Sequence, residues 1–332
     1  MKEGNAMEDR ITLDHGSGGS MTAELIEEYI IKEFSNEALL ARKDGAVVRN
    51  LGKEIVMSTD SFVVSPWRFP GGDIGKLSVC GTVNDVLMSG GIPSYLTLSL
   101  ILEEGFPLAD LKQVLQSIKR CAQDAGVQVV CGDTKVVEHG KGDQIYINTC
   151  GIGFLKRNLS GQYEEGDLVL LTGSIGRHGA AVYMAREDLP IEGTLTSDCS
   201  LLCKEAVAAM EIEGIRILRD PTRGGLATTC IELIEHTSWG MELNETAIPV
   251  DEDVQMLCSL LGFDPLYLAC EGRMIAIVSA QDAPLLCERL GKDACVIGTI
   301  TKQHPGTLLL KTRFQSERWL RKLSGQPLPR IC

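Results

Sequence analysis

The C-terminal residue, Cys332, follows a segment that two prolines keep out of a helix. Pro327 and Pro329 fix φ and lack backbone N–H groups, so residues 325–329 favour an extended conformation that reaches about 3.1 Å per residue. A thiol on such a segment can be carried from one pocket to another, whereas a structural cysteine is held within the core. Because an exposed free thiol is a chemical liability, we predict a chemical role for Cys332 rather than an inert frayed terminus.

Four aspartates stand where strands or turns are expected to end: Asp60, Asp85, Asp133 and Asp220. Carboxylates at such points are placed to hold Mg²⁺, which prefers oxygen ligands and keeps several waters. Mg²⁺ in turn bridges and neutralises nucleotide phosphates. An aspartate at a helix start also serves as a cap, and for each aspartate taken singly the cap is the favoured interpretation. The four together favour a site for Mg²⁺ and a nucleotide, with helix caps as the alternative.

Glycine-rich segments precede two expected helices, at residues 16–19 and 224–225, and their N–H groups could bind phosphate. The sequence has no P-loop and no Gly-x-Gly-x-x-Gly after a strand, so ATP would bind through another fold. Lys135 and Glu271 are the candidate bases; the alternatives are a solvated lysine and a glutamate paired with Arg273. Three histidines are interpreted as ordinary polar-loop residues: His15, His139 and His178.

The size and charge of the chain exclude several classes of protein. With 332 residues the chain exceeds one comfortable core, so we expect two domains. Its net charge of −13 argues against nucleic acids and anionic membranes as partners. We expect neither a signal peptide nor a membrane span, since no sufficiently long apolar stretch occurs. The 12 cysteines lie mostly inside apolar runs, which predicts reduced thiols and a cytoplasmic location.

Hydrophobic periodicity predicts alternating strands and helices, which is typical of an α/β or α+β fold. Strands are expected at residues 47–48, 54–60, 95–102, 127–131, 144–154, 168–171, 274–278 and 294–301. Helices are expected in the first forty residues and at 75–89, 107–126, 179–186, 201–210, 225–236 and 283–290. A polar stretch at 155–166 marks the domain boundary. From Gln303 onward we expect a basic, irregular tether that carries Cys332.

Several segments together resemble one family, the hydrogenase maturation factor HypE, a carbamoyl dehydratase. They are residues 13–19, 58–61, 69–77, 80–86, 101–105, 132–137, 220–225 and 328–332. The Gly-Asp-Thr-Lys-Val-Val segment and the Leu-Pro-Arg-Ile-Cys terminus are highly specific, and the resemblance covers essentially the whole chain. The family belongs with aminoimidazole ribonucleotide synthetase and selenophosphate synthetase. It implies an α/β N-terminal domain whose strands form a barrel across a homodimer, an α+β C-terminal domain and a flexible C-terminal tail.

The resemblance also implies a division of the chain and a set of site residues. A glycine loop and helix (1–40) would precede an ATP-binding and dimerisation domain (41–155), a C-terminal domain (156–310) and the tail (311–332). Asp60, Asp85 and Asp220 would hold Mg²⁺, and Cys332, Lys135 and Glu271 would be catalytic. The ATP-binding set would comprise Gly16, Gly18, Gly19, Asn84, Gly132, Asp133 and Arg330.

The reaction that the resemblance implies explains why the thiol should be mobile. A carbamoyltransferase, HypF, would load a carbamoyl group on Cys332, and ATP would phosphorylate the carbamoyl oxygen. Loss of phosphate and of both N–H protons would leave a thiocyanate, which passes to HypC–HypD and becomes an iron-bound cyanide of [NiFe] hydrogenase. Arg330 would offset the charge of the terminal carboxylate near the thiol.

Two other interpretations remain at this stage. A relative such as a selenophosphate synthetase phosphorylates a free small molecule, but its reactive Cys or Sec lies near the N-terminus, whereas the first cysteine here is Cys80. A non-enzymatic thiol carrier would use ATP only structurally. Phosphate release that depends on carbamoylated Cys332 separates both from the dehydratase.

Overall fold

The computed structural model describes residues 10–16, 20–40, 54–159, 161–187, 195–323, 328 and 330–332. Within these residues the N-terminal half contains six strands and five helices. The strands are β1 (Ile55–Phe62), β2 (Arg68–Phe69), β3 (Gly72–Asp73), β4 (Gly91–Glu103), β5 (Gln128–Val137) and β6 (Ile145–Leu155). The helices are α1 (Ser20–Leu25), α2 (Lys32–Phe34), α3 (Glu37–Leu40), α4 (Ile74–Met88) and α5 (Leu108–Ala125). A π-helical turn, Ile26–Ile31, joins α1 to α2, and Leu13–Gly16 is a 3₁₀ turn.

The N-terminal sheet has four strands in the order β1-β6-β4-β5. β4 and β5 are parallel and the other pairs are antiparallel. The helices α4 and α5 pack together on one face, where Leu111, Leu115 and Ile118 of α5 are buried. Helix α5 ends at Gly126, which has a φ of 70° that glycine adopts without strain.

The other face of this sheet carries apolar side chains that the protomer leaves exposed. On β1 the exposure alternates, and Ile55 and Met57 are 56% and 59% exposed. β1 and β5 form opposite edges of the sheet, three strand spacings or about 14 Å apart. The two edges carry different candidate site residues, because Asp60 lies on β1 whereas Asp133 and Lys135 lie on β5.

The C-terminal half, within the described residues, contains seven strands and five helices. The strands are β7 (Leu168–Leu171), β8 (Ile215–Arg219), β9 (Gly240–Asn244), β10 (Ile275–Val278), β11 (Cys295–Thr301), β12 (Leu308–Lys311) and β13 (Glu317–Leu320). The helices are α6 (Arg177–Arg186), α7 (Cys203–Met210), α8 (Gly225–Ile234), α9 (Glu252–Leu261) and α10 (Ala283–Leu290), with 3₁₀ turns at Glu245–Ala247 and Pro265–Tyr267. All seven strands form one sheet in the order β13-β12-β9-β11-β7-β10-β8. The prediction of two mixed α/β and α+β domains is confirmed.

Three local predictions were wrong. The chain after Gln303 is not an irregular tether, because β12 and β13 form a hairpin on the edge of the large sheet. The strand predicted at 127–131 does not end there, since β5 continues through residues 132–135. His178 is not in a polar loop: it lies in the first turn of α6 and is fully buried.

The aspartates also differ from their predicted placement. Asp60 lies inside β1, Asp85 inside α4 and Asp133 inside β5, so none of the three ends an element or caps a helix. Asp220 alone directly follows a strand, β8. The predicted strand at 47–48 lies outside the described residues. In the described part of the chain, no helix is long and apolar enough to cross a membrane.

Candidate active site

A cavity of about 460 Å³ lies where the two halves of the chain meet. Strand β1 and helix α4 line it from the N-terminal half. The loop between β8 and α8, together with Glu271, lines it from the C-terminal half, and Cys332 also reaches it. The cavity therefore brings together three predicted metal ligands, one predicted base and the predicted reactive thiol, which are far apart in the sequence.

Asp60 and Asp85 form the N-terminal wall of the cavity. Gly81 of α4 permits a close approach to β1, because a Cβ there would lie 3.0 Å from the Phe62 ring. The Ser58 hydroxyl donates to Asp85 at 2.8 Å, and the Ser61 amide donates to Asp60 at 2.8 Å. Burial raises the pKa of both carboxyl groups, while these hydrogen bonds favour the charged forms.

Asp220 and Glu271 form the C-terminal wall and are more deeply buried. Burial, followed by the charge of Asp85, raises the pKa of Asp220 to about 7. Burial also raises the pKa of Glu271 well above its ordinary value, and the neighbouring Cys199 and Asp220 add to this effect. A carboxyl group in such an environment is placed to hold a proton near neutral pH.

Two arginines, one at the end of β8 and one in the β8–α8 loop, supply positive charge that the sequence interpretation did not assign. Arg219 and Arg223 both line the cavity. Burial raises the pKa values of Asp60, Asp85 and Cys332, and the charge of Arg223 offsets part of that rise. The loop turns sharply at Gly225, where a Cβ would lie 2.6 Å from the Leu268 carbonyl oxygen. The Asp-Pro-Thr-Arg-Gly-Gly pattern was the available signal for Arg223.

The carboxylates suit Mg²⁺ by their chemistry. Besides burial, the charge of Asp85 raises the pKa values of Asp60 and Asp220, and a hard cation stabilises acidic groups that are close together in a partly buried cavity. Among the described residues, no three His, Cys, Asp or Glu side chains are grouped closely enough to hold an ion alone. Mg²⁺ usually takes one or two carboxylates and completes its shell with water and phosphate oxygens, so the residues fit an ion that arrives with a nucleotide.

The end of the chain is docked in the cavity rather than extended into solvent. The Val63 amide donates to the Cys332 carbonyl at 3.1 Å, and the Ser65 amide donates to the Arg330 carbonyl at 3.4 Å. This is edge pairing along the continuation of β1. Leu328 and Ile331 are both buried.

Side chains from several elements hold the docked residues. Arg186 of α6 donates to the Arg330 carbonyl at 2.5 Å, and His178 of α6 contacts the Ile331 carbonyl at 2.9 Å. Arg330 donates to the Val63 carbonyl at 3.0 Å and forms an ion pair with Asp143 at 2.6 Å. Arg330 thus anchors the tail in this structure, and its predicted roles toward ATP and the terminal carboxylate stay predictions.

Burial of the docked thiol raises the pKa of Cys332 to about 12, and the charge of Glu271 contributes to the same shift. The docked cysteine is therefore a neutral thiol at pH 7. Because a thiolate is the reactive nucleophile, this geometry suits a sulfur that has already been modified better than one that has still to attack a substrate.

Lys135, Asp133 and Gly132 are not part of this cavity in the protomer. They lie on β5, at the opposite edge of the sheet from β1. Lys135 is exposed and pairs with Asp133 at 2.6 Å, which lowers the pKa of Asp133. Gly132 allows β5 to approach β4, since a Cβ there would lie 2.3 Å from the Leu98 carbonyl oxygen.

Asn84 bridges the two halves of the chain. Its side chain donates to the Ser200 carbonyl at 3.0 Å and accepts from the Leu202 amide at 2.9 Å. This geometry favours a structural role, while its predicted contact with ATP remains untested. Gly16 ends the 3₁₀ turn Leu13–Gly16, and Gly18 and Gly19 lie outside the described residues.

The arrangement defines the class of protein. Residues 42–155 match the N-terminal domain of AIR synthase related proteins, and residues 164–311 match the C-terminal domain of the same family. The chain is therefore an AIR synthase related protein with both domains, which agrees with the fold predicted from the resemblance.

Similarity to individual proteins identifies the family within this class. The chain is 48% identical over 332 residues to the carbamoyl dehydratase HypE of Azotobacter vinelandii, an alignment that covers 97% of each chain. A crystal structure of hydrogenase maturation protein HypE in complex with ATP superposes with a TM-score of 0.92 at 40% identity, covering 96% of this chain and 99% of that one. A structure of a HypE–HypF complex matches with a TM-score of 0.79 at 42% identity, covering 90% and 99%. The chain belongs to the HypE carbamoyl dehydratase family.

Proposed function

We propose that this protein dehydrates a carbamoyl group on its own Cys332 to a thiocyanate, using ATP, and so supplies cyanide for the iron of [NiFe] hydrogenase. The observation that carries the proposal is the docking of Cys332 in a cavity lined by four carboxyl groups and Arg223. Relatives named carbamoyl dehydratase and a HypE structure with ATP support the reaction and the nucleotide.

The reaction balances as two steps. The oxygen of the carbamoyl group attacks the γ-phosphorus of ATP and ADP leaves, which turns that oxygen into part of a good leaving group. The nitrogen then loses two protons as the C–O bond breaks and inorganic phosphate departs, leaving Cys332–S–C≡N. The net change is loss of one water from the carbamoyl group and conversion of ATP to ADP and phosphate.

The N-terminal wall and the β8–α8 loop would neutralise the negative charge of the phosphate groups. Asp60, Asp85 and Asp220 would hold Mg²⁺, which neutralises charge on the transferring phosphoryl group. Arg223 lies close enough to Cys332 and Asp60 to influence the pKa of both, so its guanidinium can stabilise phosphate oxygens of the phosphorylated carbamoyl group on Cys332.

Glu271 is the residue of this protomer best placed to remove a proton. Its charge affects the pKa of Cys332, and its raised pKa gives its carboxylate the basicity that general base catalysis requires. Once Glu271 carries a proton it becomes neutral, which a buried site favours. The second proton needs another acceptor.

We propose that Lys135 reaches the site from a second copy of the chain. Within one protomer it lies about 14 Å from β1 across the sheet. The exposed apolar face of this sheet, with Ile55 and Met57, suits closure against a second sheet into the predicted barrel. If β1 of one sheet adjoins β5 of the other, the partner subunit's Lys135 comes next to Asp60 and Cys332.

Loading and delivery require the tail to leave its docked position. The docked sulfur is half-buried, which hinders access by both HypF and HypC–HypD, and the protonated thiol is also a poor nucleophile for loading. A HypE–HypF complex is known for a relative, which supports HypF as the loading partner. We propose the division 1–40, 41–155, 156–310 and 311–332, with hairpin β12–β13 spanning the last border.

The central test follows Cys332 through the reaction by mass spectrometry of the C-terminal peptide. After carbamoylation by the loading enzyme, ATP should cause loss of one water from that peptide in the wild-type protein. Cys332→Ala should show neither modification, whereas Cys287→Ala, at another half-buried cysteine, should behave as wild type. Thiocyanate on any other cysteine would overturn the proposal, and ATP turnover without carbamoylated Cys332 would indicate a small-molecule kinase.

A second test separates the two possible sources of Lys135. Lys135→Ala and Cys332→Ala are each expected to be inactive alone. When both variants are co-expressed with different tags and mixed dimers are isolated, one of the two sites pairs an intact Cys332 with the partner subunit's Lys135. Mixed dimers should then form thiocyanate at about half the wild-type amount. Inactive mixed dimers would show that Lys135 does not act across the interface.

A further inference from the structure

A chain of three hydrogen bonds connects the docked tail to a segment beside Glu271. The Cys199 amide donates to the Ser197 hydroxyl oxygen at 3.0 Å. Ser197 Oγ lies 2.8 Å from His178 Nδ1, and His178 Nε2 lies 2.9 Å from the carbonyl oxygen of Ile331, the residue before Cys332. All the groups between the two ends are buried.

The chemistry of the acceptors determines which atom donates in each of these three hydrogen bonds. A carbonyl oxygen can only accept, so His178 Nε2 carries the hydrogen and donates to Ile331. Burial lowers the pKa of His178, so the ring is neutral and its Nδ1 accepts the Ser197 hydroxyl hydrogen. Ser197 Oγ in turn accepts from the Cys199 amide. Every donor has one acceptor, so only one placement of the hydrogens on His178 and Ser197 satisfies all three hydrogen bonds.

The segment at the far end of this chain holds the backbone of Glu271 on both sides. The Ser200 amide donates to the Glu271 carbonyl at 3.2 Å, and the Glu271 amide donates to Asp198 Oδ1 at 3.2 Å. Gly272 keeps the contact tight, because a Cβ there would lie 1.9 Å from the Asp198 carbonyl oxygen. The residues 197–200 therefore connect the tail backbone to the backbone of the proposed base.

We infer that His178 and Ser197 are positioning residues, which fix the docked tail relative to Glu271 so that the group on Cys332 meets its base. The inference rests on the proposed function for the identity of the reaction but not for the docking itself. Loss of the His178 donor leaves a buried carbonyl without a partner and weakens docking. It also allows the group on Cys332 to move relative to Glu271, and small displacements of reacting groups slow a reaction strongly.

Docking can be measured without any catalysis. In the full-length protein, iodoacetamide modifies Cys332 only when the tail leaves the cavity, and mass spectrometry of the C-terminal peptide gives the rate. His178→Phe should accelerate this alkylation by about 10-fold, as expected from an unsatisfied buried carbonyl. His178→Gln, which supplies an amide donor, should recover most of the wild-type rate, and Ser197→Ala should fall between the two.

Val182→Ala is the matched control, since Val182 is a buried residue of the same helix with no hydrogen bond to the tail. It should lower the melting temperature while leaving the alkylation rate of Cys332 unchanged. Equal acceleration in Val182→Ala and His178→Phe at equal loss of melting temperature would overturn the inference. So would a wild-type alkylation rate in His178→Phe.

Single-turnover dehydration of the carbamoylated protein supplies the second measurement. His178→Phe and Ser197→Ala should slow this step by about 10-fold or more, while HypF carbamoylates the released tail of each as it does the wild type. Unchanged dehydration in both variants would contradict a role in alignment. If the alkylation rates behave as expected but wild-type protein forms no thiocyanate, the proposed function fails and the docking contact stands.

Discussion

The two walls of the cavity carry the same type of side chain in different environments. On the N-terminal wall, Asp60 and Asp85 each accept a hydrogen bond that favours the charged form. On the C-terminal wall, Asp220 and Glu271 are almost completely buried, and their pKa values are raised further. The N-terminal wall is thus suited to hold a cation, to which Asp220 would add a third carboxylate, whereas Glu271 is suited to exchange protons.

This difference follows from local structure. Asp60 and Asp85 project from a strand and a helix whose neighbours include hydroxyl and amide donors. Glu271 lies against the buried segment 197–200, where its carboxyl group is surrounded by other acidic groups and the Cys199 thiol. Carboxyl groups can therefore serve both phosphate chemistry and proton transfer in one cavity, because burial and nearby hydrogen-bond donors determine whether each is protonated.

Removing one charge from the N-terminal wall should give the largest effect. Asp85→Asn keeps the shape of the side chain but removes a charged ligand, so ATP turnover by carbamoylated protein should fall by about 10³-fold, since the metal contributes several kcal/mol. ADP release in a coupled assay measures this. Asp73→Asn on the same helix is the control, because Asp73 is the N-cap of α4 and asparagine caps equally well. Normal turnover in Asp85→Asn would remove Asp85 from the metal site.

Glu271→Gln on the opposite wall should have a smaller effect of a different kind. General base catalysis contributes about 10²–10⁴-fold, and we expect the lower part of this range because the proposed function divides the two proton removals between Glu271 and Lys135. Thiocyanate formation should slow while carbamoylation of Cys332 by the loading enzyme stays normal. Quantitative mass spectrometry of the terminal peptide over time checks both steps. A wild-type rate would exclude Glu271 as the base.

The last effect concerns stability rather than activity, and its size should distinguish the two walls. The pKa of Asp220 is raised to about 7 from 3.8, so the folded protein binds more protons than the unfolded chain between these values. Stability is therefore lost as pH rises through this window. In EDTA, Asp220→Asn should stabilise the protein at pH 8 by up to about 4 kcal/mol and have little effect at pH 4.

Thermal unfolding at the two pH values measures this effect. Mg²⁺ should stabilise the wild-type protein at pH 8 and act less on Asp220→Asn, since the variant has lost one acidic group. Asp60→Asn is the comparison from the other wall, where the hydrogen bond from Ser61 offsets part of the rise in pKa that burial causes. A destabilised Asp220→Asn at pH 8 would show that the buried carboxylate is satisfied without metal.

Elements with a clear local period were predictable from the sequence. Strand β7 and helix α10 have the predicted bounds, and α5 ends at the glycine expected to stop it. Strands β12 and β13 were missed because each has only four residues, and their place depends on the pairing of β12 with β9 and of β13 with β12 rather than on their own pattern.

The site was predictable in its residue types but not in its contacts. Asp60, Asp85, Asp220, Glu271 and Cys332 meet as the resemblance implied, although the first two lie inside elements. His178 could not be recognised, because its partner Ile331 is 153 residues away and its other partner is a single serine, Ser197. The position of Lys135 follows from strand order, which the sequence did not predict.

The hairpin β12–β13 determines how far the reactive sulfur can travel. Twelve residues follow Leu320, the last residue of β13, so an extended chain carries the thiol at most about 40 Å from that point. Confinement to such a volume gives the thiol an effective concentration on the order of millimolar at its own cavity. Contacts too weak to hold a free peptide can therefore hold this one, and still release it quickly to a partner bound within the same radius.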